Sequence, residues 1–597
     1  LIDLLLLHPP SVYDFRRRAI LYGPISDLIP SSPIFEMYPL GFLTMTDYLE
    51  ARGMRVRIVN LALRMLNDDR FDVPAFLATI RPRAIGIDLH WMPHAHGALE
   101  VAAIARQVHP GVPIIFGGLT ATYFHEELIR SPNVDYVLRG DSVEPPLYEL
   151  LCCLQSGRRP TAVPNLTWKE EGVVRSSPLS FTPASLDYAD LAPDRLVEMV
   201  LRHRDLKSVL PFQGWWQNPI TAVFSVRGCR HDCATCGNSR SGSERLSARH
   251  STIQRSPENL VKNVVAISRL SRGPIFLVGD LRQMGRSYAR QVLELLREAN
   301  PDNEIIFELF DMSATDYLRE IDRSVRNWSL ELSPESHDPA IRHAQEGYSA
   351  YTNEEMEEVI REALALRCHR VDVFFMIGLS GQDRSSVMES IDYCEHLLRS
   401  FDSRVSCFIS PMGPFLDPAS RAFEDPAAHG YRLFAHTLEE HRKLLEQPAW
   451  SQVLNYETVW MSRAELAAVT YEAGLALNAL KRAYGRLDAQ KADEIAQRIE
   501  AARALQEQIA SSGAEPVPEA AARLLGQVEE LSVSTVCDKR ELFWSTRHVN
   551  FHLLEILRIG LRSLLPSRLR RGQGAAPPAA MGGASQPARP RDVHQER

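Results

Sequence analysis

Two long stretches of this sequence alternate short apolar runs with amphipathic helical segments, a rhythm that restricts each stretch to a wound parallel sheet. In residues 1–150 the runs are 2–7, 56–61, 84–89, 113–116 and 136–138, separated by helical patterns at 41–52, 73–80, 98–108 and 126–130. A doubly wound α/β domain is predicted, with its ligand at the carboxyl ends of the strands. The turns at those ends are Pro9-Pro10, Gly117-Gly118-Leu119-Thr120 and Arg139-Gly140-Asp141. A glycine pair lets main chain approach a large flat ligand closely. The second series lies in residues 216–415, with runs at 221–226, 275–278, 305–309, 328–332, 371–377 and 405–409. Helical patterns at 257–268, 287–299, 313–322, 353–366 and 384–399 fill the gaps. Six such repeats predict a partial or full (β/α) barrel whose active site faces the C-terminal strand ends.

A chain of 597 residues exceeds one hydrophobic core, and two to four domains are expected. Between the two series, residues 151–215 read as a hairpin (165–169 and 173–177 around Glu170-Glu171-Gly172) followed by a Pro-rich linker. Residues 416–531 are expected to form a helical C-terminal region, with candidate helices at 463–484, 488–509 and 518–531. Residues 532–571 form an amphipathic segment. The Ala-, Pro-, Gly- and Arg-rich stretch 572–597 is expected to be disordered. A net charge of -8 offers no electrostatic reason for a nucleic-acid partner. The apolar opening lacks a basic leader and ends at Pro9 and Pro10, which reads as a buried strand and not a signal peptide. No apolar run approaches the roughly 18 residues of a membrane span, and a cytoplasmic location is expected. Residues 548–571 interleave leucines and isoleucines with arginines, the pattern of a basic amphipathic helix. It would rest on an anionic membrane surface or dock on the protein's own body, and docking is favoured.

Of nine cysteines, Cys152, Cys153, Cys368, Cys394, Cys407 and Cys537 are scattered through apolar or helical surroundings and read as buried thiols. The other three, Cys229, Cys233 and Cys236, crowd one loop after the run 221–226, too close together for a disulfide framework. Three thiolates hold three irons of a [4Fe–4S] cluster and leave the fourth iron without a protein ligand. The alternative is a structural zinc site completed by His231 or a remote cysteine.

The spacing C-x3-C-x2-C at the end of a first barrel strand resembles the motif of the radical S-adenosylmethionine (SAM) superfamily, in which SAM chelates the open iron. Thr235 stands where that family often has an aromatic residue near adenine. Gly279 and Asp280 resemble the turn that meets the SAM amino group, and Glu308 closes the third strand. Ser333, Glu335 and Arg342 resemble the fourth-strand segment around the ribose and carboxylate, and Gly378 lies in a stretch similar to the one near adenine. The first domain resembles the Rossmann-like (flavodoxin-like) cobalamin-binding domain of the cobalamin-dependent members. The matching residues are Pro9, Pro10, Tyr38, Pro39, Gly41, Gly117, Gly118, Thr120, Gly140 and Glu144, with Asp88 and His90 beneath or beside the corrin. The D-x-H-x-x-G loop of other cobalamin proteins is absent: Asp88-Leu89-His90 imitates its start, but Pro93 replaces the glycine and the segment follows the third strand. Binding without a histidine ligand to cobalt is therefore expected, with His90, His94 and His96 as the alternatives.

The resemblance implies a [4Fe–4S] cluster, SAM and cobalamin as cofactors, and an electron donor such as flavodoxin or ferredoxin. The implied reaction is reductive cleavage of SAM with methylation of an unactivated carbon, or phosphorus, of a small-molecule or lipid substrate. Rearrangement, cyclisation or desaturation without methyl transfer is the alternative chemistry, and a non-catalytic cobalamin or redox sensor the alternative class. Trp215, Trp216, Tyr456, Trp460 and the turn 410–414 are candidate substrate-side residues, with aromatic packing as their plainer role.

Overall fold

A computed structural model describes residues 1–18, 21, 39–312, 314–347, 350–413, 415–511, 537, 539–544 and 550–564. Tyr38, the candidate helix 518–531, residues 565–571 and the stretch 572–597 lie outside the described residues.

The first sheet contains β1 (Leu4–His8), β2 (Val56–Asn60), β3 (Ile85–Asp88), β4 (Ile114–Gly117) and β5 (Tyr136–Leu138), parallel throughout in the order β2-β1-β3-β4-β5. This is the flavodoxin-like winding, with its switch point between β1 and β3. Helices cover both faces, so all five residues of β1 are buried, and the strand reads as an unbroken apolar run. Side chains halt and restart the backbone at the strand ends. Asn60 accepts from the N–H of Leu63, and Asp72 accepts from that of Ala75 with Pro74 in the first turn.

The hairpin expected at 165–177 is present as β6 (Leu166–Glu170) and β7 (Val173–Ser176), turning through Glu171 and Gly172 at φ 53 and 81°. It is continuous with the first sheet. Leu166, Thr167 and Trp168 pair antiparallel with β5 and extend the first sheet to seven strands, covering its open edge. The stretch after it also carries a helix, Pro193–His203.

The second sheet runs β8 (Thr221–Phe224), β11 (Ile275–Val278), β12 (Ile305–Leu309), β13 (Trp328–Glu335), β14 (Cys368–Ile377) and β15 (Val405–Pro411). All neighbours are parallel and in sequence order, a six-stranded partial barrel. The single strand expected at 221–226 breaks at Ser225. The next two residues form β9 (Val226–Arg227), which leaves the barrel to pair antiparallel with β10 (Ile253–Gln254).

The expectation of a helical region from 416 is corrected. Residues Tyr431–Leu433 (β16) and Tyr456–Thr458 (β17) form an antiparallel pair, each strand too short to show a period in sequence. Long helices begin only at Arg463–Ala483, opened by a Ser462/Glu465 capping box, and continue with Ala489–Ser511. The first of them packs against helix Arg384–Ser400 and β15. Near the N-terminal end of β14, Arg370 donates to the carbonyls of Glu541 and Phe543 and lies over the Trp544 ring, while Lys481 pairs with Glu541 at 2.7 Å. Segment Lys539–Leu542 thereby caps the barrel at the end opposite the cysteine loop.

Candidate active site

Arg227, at the end of β9, delivers the chain into Gly228 and Cys229; Gly228 takes φ 78°, a left-handed conformation that glycine adopts without strain. The loop closes on itself: Cys236 N–H donates to the carbonyl of Cys233 at 3.2 Å, and Ala234 N–H to that of Gln345 at 2.9 Å. Helix Arg240–Ser247 then starts on a Ser239 cap. Burial pushes the thiols of Cys229 and Cys236 above the ordinary cysteine range. Bare thiols there hold their protons, and a metal must displace them to bind. Cys229 Sγ donates to Gln283 Oε1 at 3.2 Å, so the turn after β11 touches the loop. A Cβ at Gly347 would sit 2.6 Å from Cys233 Sγ, which keeps space open beside that sulfur. His231 stands edge-on to Phe310, 5.9 Å between ring centres. Three sulfur donors on one tight loop fit a cubane cluster with one open iron.

The SAM-side candidates gather at the strand ends as expected of a barrel. Gly279 and Asp280 follow β11, Glu308 lies near the end of β12, Ser333 and Glu335 are in β13, and Gly378 follows β14. Glu308, Glu331 and Asp372 are register partners on β12, β13 and β14, and so face the same way. Burial, partly offset by the Gly279 N–H at 2.9 Å, lifts the Glu308 carboxyl to about 7. Burial raises Glu331 as well, and Asp372 to about 6 despite its contact with Arg370. Two candidates are occupied otherwise. The Asp280 carboxylate binds Arg282 at 2.6 Å and the Phe310 N–H at 3.0 Å. The Arg342 guanidinium is fully buried on the carbonyls of Ser336 and Tyr351 and on Asn353 Oδ1, bracing the segment after β13.

A cavity of about 330 Å³ opens between the first sheet's switch point and the cysteine loop. Pro39, Gly41, Asp88, His90, Gly117, Gly118 and Gly140 line it from the first domain, and Phe224, Val226, Arg227, Gly228 and Asn238 from the second. Its wall is predominantly apolar side chains and glycine backbone, which suits a broad flat ligand. Gly118, at φ 113°, is indispensable: a Cβ there would meet His90 Cα at 2.4 Å and the Leu89 carbonyl at 2.6 Å. Pro9, Pro10, Thr120 and Glu144 are not among the lining residues. Pro10 packs its carbonyl against Gly97, and Thr120 is buried beneath the His90 carbonyl. Glu144 binds Thr44 at 2.7 Å, Tyr188 at 2.8 Å and Arg227 at 3.2 Å. That buried ion pair ties the root of the cysteine loop to the first domain. Arg249 repeats the tie through Asp141.

Asp88 sits at the edge of this cavity between two imidazoles, 3.1 Å from His8 Nδ1 and 2.6 Å from His90 Nδ1. Burial raises its pKa, but His8 and then His90 outweigh that and hold the carboxyl below its usual range. His94, 5.0 Å from His8 between ring centres, is held down to about 3 by burial and by His8. Sequence reasoning missed Arg227, Gln283 and the cavity's apolar side chains, since nothing local distinguishes them from core or surface residues. Trp215 and Trp216 cluster with Phe551, and Tyr456 is fully buried with its hydroxyl on the Met412 carbonyl, so their role is packing.

Comparison with known proteins matches residues 31–146 to the B12 binding domain model and residues 223–394 to the Radical SAM superfamily model. The chain thus carries a region that matches the B12 binding domain and, after it, one that matches the Radical SAM superfamily, neither spanning half of its length. An uncharacterized methyltransferase of Pyrococcus horikoshii is 29% identical over 147 residues, which are 24% of this chain and 29% of that relative's length. The radical SAM methyltransferase TsrM from Kitasatospora setae, solved with cobalamin and a [4Fe–4S] cluster, is 15% identical and superposes with a TM-score of 0.56. That match covers 89% of this chain and 98% of TsrM. The cobalamin-dependent SAM radical enzyme OxsB, solved with aqua-cobalamin and SAM, is 13% identical with a TM-score of 0.51, over 94% of this chain and 79% of OxsB. At these identities the shared property is the fold, two wound α/β units in the same order.

Proposed function

We propose that this protein is a cobalamin-dependent radical SAM methyltransferase, acting at an unactivated carbon or phosphorus of a small-molecule or lipid substrate. One observation carries the reading: Arg227 and Gly228, the residues immediately before Cys229, also line the glycine-floored cavity of the first domain. Both cofactor sites therefore open on one space, as delivery of a methyl group to a radical carbon requires. When bound, the cluster supplies an electron for SAM cleavage and cobalamin supplies the methyl carrier. Cys229, Cys233 and Cys236 are the iron ligands. Gly279, Glu308, Ser333, Glu335 and Gly378 stand where SAM would lie, and the Glu308 carboxyl suits a cationic amine or sulfonium neighbour, which would draw its proton off. Arg227, held on Glu144, keeps the two sites in fixed relation. An electron donor of the flavodoxin or ferredoxin kind completes the system.

The test is anaerobic reconstitution followed by incubation with SAM and a strong reductant. Expected are about four irons per chain, cobalamin retention, and release of 5′-deoxyadenosine or S-adenosylhomocysteine. Zinc in place of iron, or a full cluster spectrum after serine replaces all three cysteines, would overturn it.

Among the described residues no helix is long and apolar enough to cross a membrane. The basic helix Leu553–Leu564 docks on the body as expected, against Pro193–His203 and Pro257–Leu270, with Ile559 buried. It turns a second row outward: Leu553, Leu554, Leu557 and Leu561 are 62–84% exposed beside Arg558 and Arg562. That row fits peripheral contact with an anionic lipid surface. Co-sedimentation with phosphatidylserine vesicles should fall when Leu554 and Leu557 are replaced by aspartate; unchanged pelleting would remove the membrane role.

A further inference from the structure

The cavity edge carries an arrangement that an apolar ligand slot does not need. Asp88, at the last position of β3, is buried and bonded to two imidazoles at once, His8 from the end of β1 and His90 two residues on. His8, His90 and Asp88 satisfy the separation of a metal-ligand triad, but the carboxylate already occupies the Nδ1 side of both rings. A carboxylate accepts hydrogen bonds, so each ring presents its protonated Nδ1 to it and leaves Nε2 as the lone-pair nitrogen. For His8 that nitrogen is buried and has no hydrogen-bond partner. For His90 it is different: the side chain is 27% exposed and the residue lines the cavity.

The backbone holding His90 is pinned from three sides. Leu89 N–H donates to the Gly117 carbonyl at 2.8 Å, the Leu89 carbonyl accepts from Ala121 at 3.0 Å, and Gly118 lies directly against His90 Cα. A histidine whose far nitrogen is fixed by a carboxylate, whose near nitrogen is free, and whose main chain cannot shift has the construction found behind metal-bound imidazoles. The metal that the cavity's proposed ligand would bring is cobalt.

We propose that His90 Nε2 is the lower axial donor to the cobalt of bound cobalamin, with Asp88 and His8 behind it as a hydrogen-bonded relay that fixes its tautomer. The proposal rests on the cobalamin reading of the cavity and reverses the expectation of binding without a histidine ligand. The sequence offered His90 only as an alternative and could not disclose His8 behind Asp88, because those two are 80 residues apart and meet only through the β1-β3 pairing.

The experiment uses the full chain reconstituted with hydroxocobalamin and reduced to the cobalt(II) state, read by electron paramagnetic resonance. Expected is a three-line nitrogen splitting on the high-field cobalt lines that becomes two-line when the protein carries nitrogen-15 histidine, since only a protein ligand responds to that label. The label needs no substitution, so the wild-type result stands apart from any folding effect. The splitting should vanish in His90→Ala, and Asp88→Asn should weaken cobalamin retention about ten- to a hundredfold. Cobalamin retained with unsplit lines, or a three-line pattern indifferent to the label, would overturn the axial assignment alone. A label-sensitive splitting that survives His90→Ala would also overturn it. Failure to bind cobalamin at all would overturn the cavity's assignment and this proposal with it.

Discussion

The two parallel sheets finish in surfaces of opposite character. At the C-terminal ends of the first, glycines and leucines leave a largely apolar slot with Asp88 and its two histidines at its edge. At the ends of the second stand three thiols, with Glu308 near them and the register-matched Glu331 and Asp372 deeper along the strands. The same winding thus prepares one end for a broad, largely apolar ligand and the other for iron and a cationic ligand. The difference lies in a few side chains, because the strands of both sheets are otherwise largely buried and apolar. Two ion pairs join the surfaces, Arg227 with Glu144 and Arg249 with Asp141.

Four measurements would break or sharpen this contrast. Replacing Cys229, Cys233 and Cys236 by serine should take iron from about four per chain to almost none while cobalamin stays bound; loss of both cofactors would mean that the two ends are not separable. Arg227→Met strands the buried Glu144 carboxylate and should cost about 3–5 kcal/mol in denaturant unfolding; a cost below about 1 kcal/mol would show that the tie between the sheets is dispensable. Gly118→Ala adds a Cβ against His90 at a left-handed backbone position, and should cost about 2–3 kcal/mol and abolish cobalamin retention with the iron content unchanged.

The smallest effect is the most diagnostic, because the two regions should respond to pH in opposite directions. Folding lowers the His94 pKa from 6.5 to about 3, so below pH 6.5 the unfolded chain binds the extra proton and stability is lost as pH falls. Folding raises the Glu308 pKa from 4.5 to about 7, so between those values the folded chain holds the extra proton and stability is lost as pH rises. Unfolding midpoints at pH 5 and pH 8 should move by about 1–2 kcal/mol in opposite senses in His94→Phe and Glu308→Gln. A shift in the same sense for both would refute the contrast.

Most strands were legible because a buried parallel strand must be continuously apolar. β2 and the barrel strands β11 and β12 begin where their apolar runs begin. The candidate cluster site was legible because its three sulfur donors share one loop. Other features left no local trace. The break at Ser225 arises because β9 finds a partner in β10 outside the barrel. The hairpin β6-β7 was legible in its turn, but its attachment to the first sheet was not, because edge pairing is invisible until β5 is in place. Pro9, Pro10, Thr120 and Glu144 were sensible cavity residues by position, yet side-chain direction and competing partners put them elsewhere.

By itself, the sequence determined two wound parallel sheets, the place of the cysteine loop at a strand end, and the glycines on which a flat ligand could lie. These follow from rules within a few residues: apolar periodicity, turn chemistry and donor spacing. The tertiary structure alone decided that Arg227 and Gly228 face the first domain's cavity, that three carboxylates align across β12, β13 and β14, and that His8 stands behind Asp88 and His90. Each of those depends on strand order and register, which bring together groups too far apart in the chain for any local pattern to record.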